Sequence, residues 1–154
     1  MSRRGKIVAI NTSSTKGIRK KNVGRSRLLP QFGIEADAHA GDWHRQVSLL
    51  ALESIEKMVR LGLKVGPGDF AENITTQGLD LLTLPIGTRF RMGPKALLEV
   101  TQIGKVCHTR CAIFYQAGDC VMPKEGIFAR VLEGGEIQVG DDILVCRGDS
   151  DDQR

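Results

Sequence analysis

Three of the four cysteines, Cys107, Cys111 and Cys120, fall within fourteen residues together with His108, one of three histidines. Three cationic side chains, Lys105, Arg110 and Lys124, lie in or beside the same stretch. A thiolate is both a nucleophile and a soft-metal ligand, and nearby positive charge lowers a thiol pKa from its usual value of about 8.5. Three chemistries are open to such a cluster. Cys107 can be a reactive thiol that carries a persulfide, with Cys111 or Cys120 placed to resolve it, or that ligates a thiophilic metal. Alternatively, Cys107, Cys111, Cys120 and a histidine can bind zinc. The Cys-x3-Cys spacing allows this, but no second close cysteine pair follows. In the third reading the cysteines are small buried core residues. The polar flanks of Cys107 (Lys105 before it, His108-Thr109-Arg110 after it) argue against that for Cys107 itself. Cys146 stands apart, at the end of the apolar run Ile143-Leu144-Val145, and reads as a buried structural thiol.

Two further stretches carry polar chemistry. Six basic residues and no acid lie between Lys16 and Arg27: Lys16, Arg19, Lys20, Lys21, Arg25 and Arg27. The net charge of +4 belongs to this segment, and the rest of the chain is slightly acidic. Its apolar residues show no helical spacing, so it reads as a loop or irregular ribbon. It is either a solvated surface loop or an anion site, for phosphate or another anionic group. Nucleic acid is disfavoured, because the run lacks aromatics and no recognised binding motif appears. Next, residues 33–47 hold His39, His44, Asp37, Asp42 and the only tryptophan, Trp43. The two histidines can ligate a metal with an aspartate, or the Asp and His side chains can bond the loop's own backbone and fix its path. Asp69 and Glu72 can support acid–base work or bond loop amides.

The elements that must position these groups are mostly strands. At 154 residues and 41% apolar composition, the chain is one domain with a core of its own. With only 5% aromatic residues, aliphatic packing dominates. No apolar run is long enough to span a membrane and no hydrophobic leader opens the chain. The expectation is therefore a cytoplasmic protein, in which clustered cysteines are reactive or metal-binding rather than disulfide-linked. Lys6–Ile10 reads as a first strand. Ser48–Leu61 reads as the best helix, with Ser48 as N-cap, Gly62 as the left-handed residue beyond its end, and Glu53–Lys57 and Glu56–Arg60 as surface pairs. Strands are expected at 73–76, 88–92, 96–103, 126–132, 136–139 and 143–145, separated by Gly and Pro turns. Short strands at this spacing predict a mainly β, closed or nearly closed structure. Residues 147–154 form a polar tail, expected to be disordered.

Several of these stretches together resemble a known family. Gly104-Lys105-Val106-Cys107, preceded by Gly68-Asp69-Phe70-Ala71-Glu72-Asn73 and by Asp37-Ala38-His39-Ala40-Gly41 with Arg45-Gln46-Val47, is similar to the MOSC domain, the C-terminal domain of molybdenum cofactor sulfurases. The run Gly118-Asp119-Cys120-Val121-Met122-Pro123-Lys124-Glu125-Gly126 resembles the small stand-alone bacterial members, and the likeness extends from Lys6 to Val145. It implies a MOSC-like β-barrel with a few peripheral helices over residues 1–146. It also implies a role in binding the molybdenum cofactor (molybdopterin) or in carrying sulfur for it. Cys107 would be the characteristic cysteine, carrying sulfur or ligating molybdenum. The cofactor joins a terminal phosphate to a dithiolene-held metal, so it calls for cations and a thiolate. Lys16, Arg19, Lys20, Arg45, Asn73, Lys105, His108 and Arg110 are then the expected cofactor contacts. Implied partners are a pyridoxal-phosphate cysteine desulfurase as sulfur donor and a molybdoenzyme as acceptor; the chain has no room for a desulfurase domain of its own. Some relatives reduce N-hydroxylated compounds, which leaves a molybdenum-dependent reductase as an alternative, beside a structural zinc module.

Overall fold

The computed structural model describes residues 3–16, 18–104 and 125–146. Eleven strands lie among them: β1 (Arg4–Thr12), β2 (Lys21–Asn22), β3 (Arg25–Leu29), β4 (Gly33–Ile34), β5 (Val47–Ala51), β6 (Ile74–Gln77), β7 (Arg89–Met92), β8 (Ala96–Ile103), β9 (Ile127–Glu133), β10 (Gly135–Gln138) and β11 (Asp142–Val145). The α-helix α1 (Leu52–Arg60) and a 3-10 turn at Leu81–Thr83 lie among them as well.

The strands run β11-β7-β8-β9-β5-β6-β1, and β11 pairs back onto β1, so seven strands close into a barrel. Every barrel pair is antiparallel except β5–β6. Closure removes the exposed edges that an open sheet of this length would carry. The alternation expected of half-buried strands is plain in β7, where Phe90 and Met92 point inward and Arg89 and Arg91 outward. On the outer face Glu99 lies directly across from Arg89 on β7 and Arg130 on β9, and it accepts from both, at 3.2 and 2.7 Å. The interior is aliphatic: Ile7, Ile10, Leu49, Ile74, Leu98, Val100, Ile127 and Val131 are all buried in one cluster with Phe90 and Met92. A second cluster packs α1 onto the outside of the barrel through Ile55 and Met58 against Leu50, Phe70 and Phe128. Burying such a side chain contributes about 1.5–3 kcal/mol. Strands β3, β4 and β10 form a small separate sheet.

The strand expectations hold with shifts of one or two residues at the ends. The helix expectation needs correction. Residues 47–51 are strand β5, and the helix starts only at Leu52, with Ala51 at its N-cap and no capping side chain. β5 lies between β6 and β9, and Val47, Ser48, Leu49 and Leu50 are all buried. A strand covered on both faces reads as a continuous apolar run, which merges with the periodic face of the helix that follows. Ser48 instead faces Asn73. Gly62, with φ of +98°, takes the left-handed conformation beyond the helix end. The expected Glu53–Lys57 pair is replaced by longer-range bonds: Lys57 pairs with Glu125 at 2.8 Å, and Glu53 accepts from the Gly78 amide. The basic run is also more ordered than a loop, since β2 and β3 lie within it. Cys146 is half-buried rather than buried.

Candidate functional site

A cavity of about 210 Å³ opens beside the barrel, lined by Lys16, His39, Trp43, Arg45, Ser48, Phe70, Ala71, Asn73 and Phe128. It draws on three of the stretches singled out from sequence: the basic run, the His39–Arg45 loop and the Phe70–Asn73 turn. Each is held by buried polar bonds.

The loop is fixed by Asp37. Its Oδ1 accepts from the Lys20 ammonium at 2.7 Å and from the Ser13 amide at 3.1 Å, and its Oδ2 accepts from the His39 amide at 3.1 Å. Both side chains of the Lys20–Asp37 pair are fully buried. Burial alone would raise the Asp37 carboxyl. Hydrogen bonds from Lys20 and Asn73, the Lys20 charge and the Ser13 amide outweigh that and hold it below the ordinary aspartate value. The Phe70–Asn73 turn is fixed by Glu72. Its carboxylate accepts from the Gly68 and Phe70 amides, at 2.9 and 3.3 Å, and from the Thr75 hydroxyl at 2.7 Å. Here burial dominates and the carboxyl sits above the ordinary glutamate value despite those donors. Asn73 ties the turn to β5 by accepting from the Ser48 amide at 2.9 Å, and it donates to the Asn11 carbonyl at 3.2 Å. Asp37 and Glu72 thus bond loop amides; neither lines the cavity.

Arg45 and Trp43 make the polar wall. The Arg45 guanidinium lies 5.2 Å from the Phe128 ring centre and 5.9 Å from that of Trp43, and the Lys16 ammonium is 5.5 Å from the Trp43 ring. The tryptophan therefore has a cation contact with each of two basic residues. Such contacts are worth about 0.5–1 kcal/mol each where exposed, and Trp43 is 38% exposed. The Arg45 Nε donates to Gln102 Oε1 at 3.0 Å. Its terminal nitrogens make no hydrogen bond among the described residues, which leaves a planar fork suited to an oxyanion.

The residues expected at an anion site divide accordingly. Lys16, Arg45 and Asn73 come together at the cavity. Arg19 is 3.9 Å from Asp69 and does not line it. Lys20 is a correction: its charge is neutralised inside the fold by Asp37, so it braces the loop and cannot meet a ligand. Arg27 pairs with Glu136 on β10, and Arg25 lies on the same small sheet. The basic run is therefore not one anion site. Cys107, Lys105, His108 and Arg110, with Cys111, Cys120 and Lys124, lie outside the described residues. Their two described flanks meet, because the Gly104 amide donates to the Gly126 carbonyl at 2.7 Å. Among the described residues no group of three His, Cys, Asp or Glu side chains stands together as a metal site. No helix among them is long and apolar enough to cross a membrane. Gln102 and Phe128 were not singled out from sequence. A lone glutamine or phenylalanine in a strand carries no signal of its own, and the β8–β9 and β5–β9 pairings together bring them beside Arg45.

Comparison with known proteins agrees with this architecture. The family model of the MOSC domain matches residues 36–144. Among solved structures, the YuaD protein of Bacillus subtilis is similar at 20% identity with a TM-score of 0.76, over 92% of this chain and 95% of that one. YiiM of Geobacillus stearothermophilus is similar at 22% identity and a TM-score of 0.69, over 93% of this chain and 75% of that one. YiiM of Escherichia coli is similar at 19% identity and 0.61, over 93% and 68%. At these identities the likeness carries the fold. None of the curated proteins matches.

Proposed function

The chain belongs to the MOSC domain family, a family associated with molybdenum cofactor-related proteins, and on that premise we propose that it binds the anionic end of the molybdenum cofactor at Arg45 and Lys16 and carries sulfur for it on Cys107. The observation that supports this most is the side chain of Gln102, which holds Arg45 Nε and also donates to the Gly104 carbonyl at 2.7 Å. Cys107 is three residues beyond Gly104. At about 3.6 Å per extended residue, the chain keeps the two Cα atoms within about 11 Å. That bound supports reading the cationic pocket and the thiol as parts of one site.

The cavity suits the phosphate end of that group. Two cations flank a tryptophan at its wall, with a guanidinium fork unengaged among the described residues. Its volume of about 210 Å³ is below the roughly 300–1,000 Å³ of pockets that enclose a drug-sized ligand. It takes one end of the cofactor, and the remainder extends beyond it. Arg45 and Lys16 would hold the phosphate, and Trp43 and Phe128 would pack against whatever adjoins it. When bound, the cofactor supplies a dithiolene-held molybdenum able to exchange oxygen or sulfur ligands. The chain's own part is to orient that end and to present a thiolate. Sulfur would arrive by attack of the Cys107 thiolate on the outer sulfur of a cysteine desulfurase persulfide. That forms a persulfide on Cys107 and releases the donor cysteine as its thiolate, with no external oxidant. A molybdoenzyme would be the onward acceptor.

The test is intact-mass analysis after incubation with a cysteine desulfurase and cysteine. The expected result is a gain of about 32 Da, one sulfur atom, in the wild type and its absence in Cys107→Ser. Equal loading of the Cys107→Ser chain would remove Cys107 as the sulfur carrier.

A further inference from the structure

We propose that Gln102 is the positioning residue of this pocket: its amide, locked by the Gly104 carbonyl, fixes Arg45 and His44 so that the Arg45 terminal fork is held ready for an oxyanion. The inference rests on the reading of the cavity as an anion site.

Gln102 has every polar atom of its amide in use. Nε2 donates to the Gly104 carbonyl at 2.7 Å, and this sets which way the amide faces. Oε1 is then the acceptor, and it receives two donors, Arg45 Nε at 3.0 Å and His44 Nε2 at 2.8 Å. Because Oε1 can only accept, His44 carries its proton on Nε2. One amide thus fixes the rotation of a guanidinium and the tautomer of an imidazole on adjacent residues.

The backbone is shaped for this. β8 pairs with β9 through Val100 opposite Ala129 and Gln102 opposite Phe128, so Thr101 is an extra residue in the strand. In a regular strand Thr101 and Gln102 would point to opposite faces. A bulge re-aims side chains. Here the Thr101 hydroxyl donates to the His44 carbonyl while Gln102 holds the His44 and Arg45 side chains, so two consecutive residues serve the same short segment. Phe128, opposite Gln102 in the register, supplies the ring on which the guanidinium rests. Removing Gln102 leaves the aromatic contacts but frees the guanidinium to turn about its long axis. A ligand must then restore that orientation from its own binding energy.

The test uses the full chain and inorganic phosphate as probe. Binding is followed by the fluorescence of Trp43, the only tryptophan, and Arg45 Nε–H is followed by proton–nitrogen NMR. The expected result is an exchange-protected Arg45 Nε–H in the wild type that is lost in Gln102→Ala, with phosphate affinity reduced about tenfold, the order of one charge-assisted hydrogen bond. Gln102→Glu keeps an acceptor for both donors. Without the amide N–H that the Gly104 carbonyl receives, it should recover the protected resonance only in part, and it should bind phosphate more weakly than wild type because it sets a negative charge beside Arg45. That variant also covers the case in which Gln102→Ala does not fold. The proposal is overturned if Arg45→Ala abolishes phosphate binding while Gln102→Ala binds within about twofold of wild type. Absence of phosphate binding by the wild type, or unchanged binding in Arg45→Ala, overturns instead the anion reading beneath it.

Discussion

Replacing Asp37 by asparagine tests whether the loop that carries the pocket is held by a buried charge. Lys20 and Asp37 are 2.7 Å apart with both side chains excluded from solvent. With charge centres about 4 Å apart and an effective dielectric constant of about 20, their attraction is about 4 kcal/mol. Desolvation of both groups offsets much of this, so the pair contributes little over an apolar substitute. Breaking it is another matter, because a buried ammonium is left without its counter-charge, at a cost of about 3–5 kcal/mol. For a chain of this length that corresponds to a fall in Tm of about 2–4 °C per kcal/mol, or roughly 6–20 °C. Asp37→Asn should show that loss at pH 7, and Lys20→Met a comparable one. The double variant should be less destabilised than the sum of the two, with a coupling energy above about 1 kcal/mol. The same carboxylate holds the Ser13 and His39 amides, so Asp37→Asn should also weaken phosphate binding. The pH dependence has a definite sign. The Asp37 carboxyl is held below its ordinary value near 3.8, so its contribution is full above that value and is lost as pH falls through the folded one. Asp37→Asn should remove that part of the acid unfolding limb. Urea melts from pH 3 to pH 7 measure both effects. Single variants within about 1 kcal/mol of wild type, the size expected of an exposed pair, would refute the reasoning.

Glu72 should behave in the opposite sense. Burial raises its carboxyl above the ordinary value of 4.5, so the folded state holds this proton more tightly than the unfolded chain. The resulting advantage exists at acid pH and disappears as pH rises through the folded value. Urea midpoints of wild type and Glu72→Gln should therefore shift in the variant's favour from pH 4.5 to pH 8, and a shift the other way would contradict the assignment. Two glycines separate crowding from backbone strain. Gly68, at φ of +88°, would place a Cβ 2.2 Å from the Lys20 carbonyl, whereas Gly24, at φ of +77°, has nothing near it. Gly24→Ala should cost only the left-handed conformation, about 1–2 kcal/mol. Gly68→Ala should add about 1–3 kcal/mol of overpacking, and equal melting temperatures for the two would contradict that.

The barrel was legible because its strands are short, β-branched and divided by glycine turns, as in 96–103 and 143–145. The start of α1 was not, because a strand buried on both faces and an amphipathic helix share an apolar run across Ala51. Charge misled in a similar way. The six basic residues look equivalent in sequence, yet only Lys16 reaches the cavity and Lys20 is neutralised inside the fold. Burial decides between those roles, and burial depends on where the chain returns: Asp37 is seventeen residues from Lys20. Arg45 was expected as an anion contact only through the family resemblance. Gln102 was not, since its role exists only through the bulged pairing of β8 with β9.

The central claim is that this pocket binds the anionic end of the molybdenum cofactor. The most direct measurement is equilibrium binding of the cofactor, released anaerobically from a molybdoenzyme, to the wild-type chain and to Arg45→Ala. Saturable binding by wild type at one cofactor per chain, weakened at least tenfold in Arg45→Ala (about 1.4 kcal/mol) with the fold intact, is the predicted result. Equal binding by the two chains, or none by the wild type, would contradict the account.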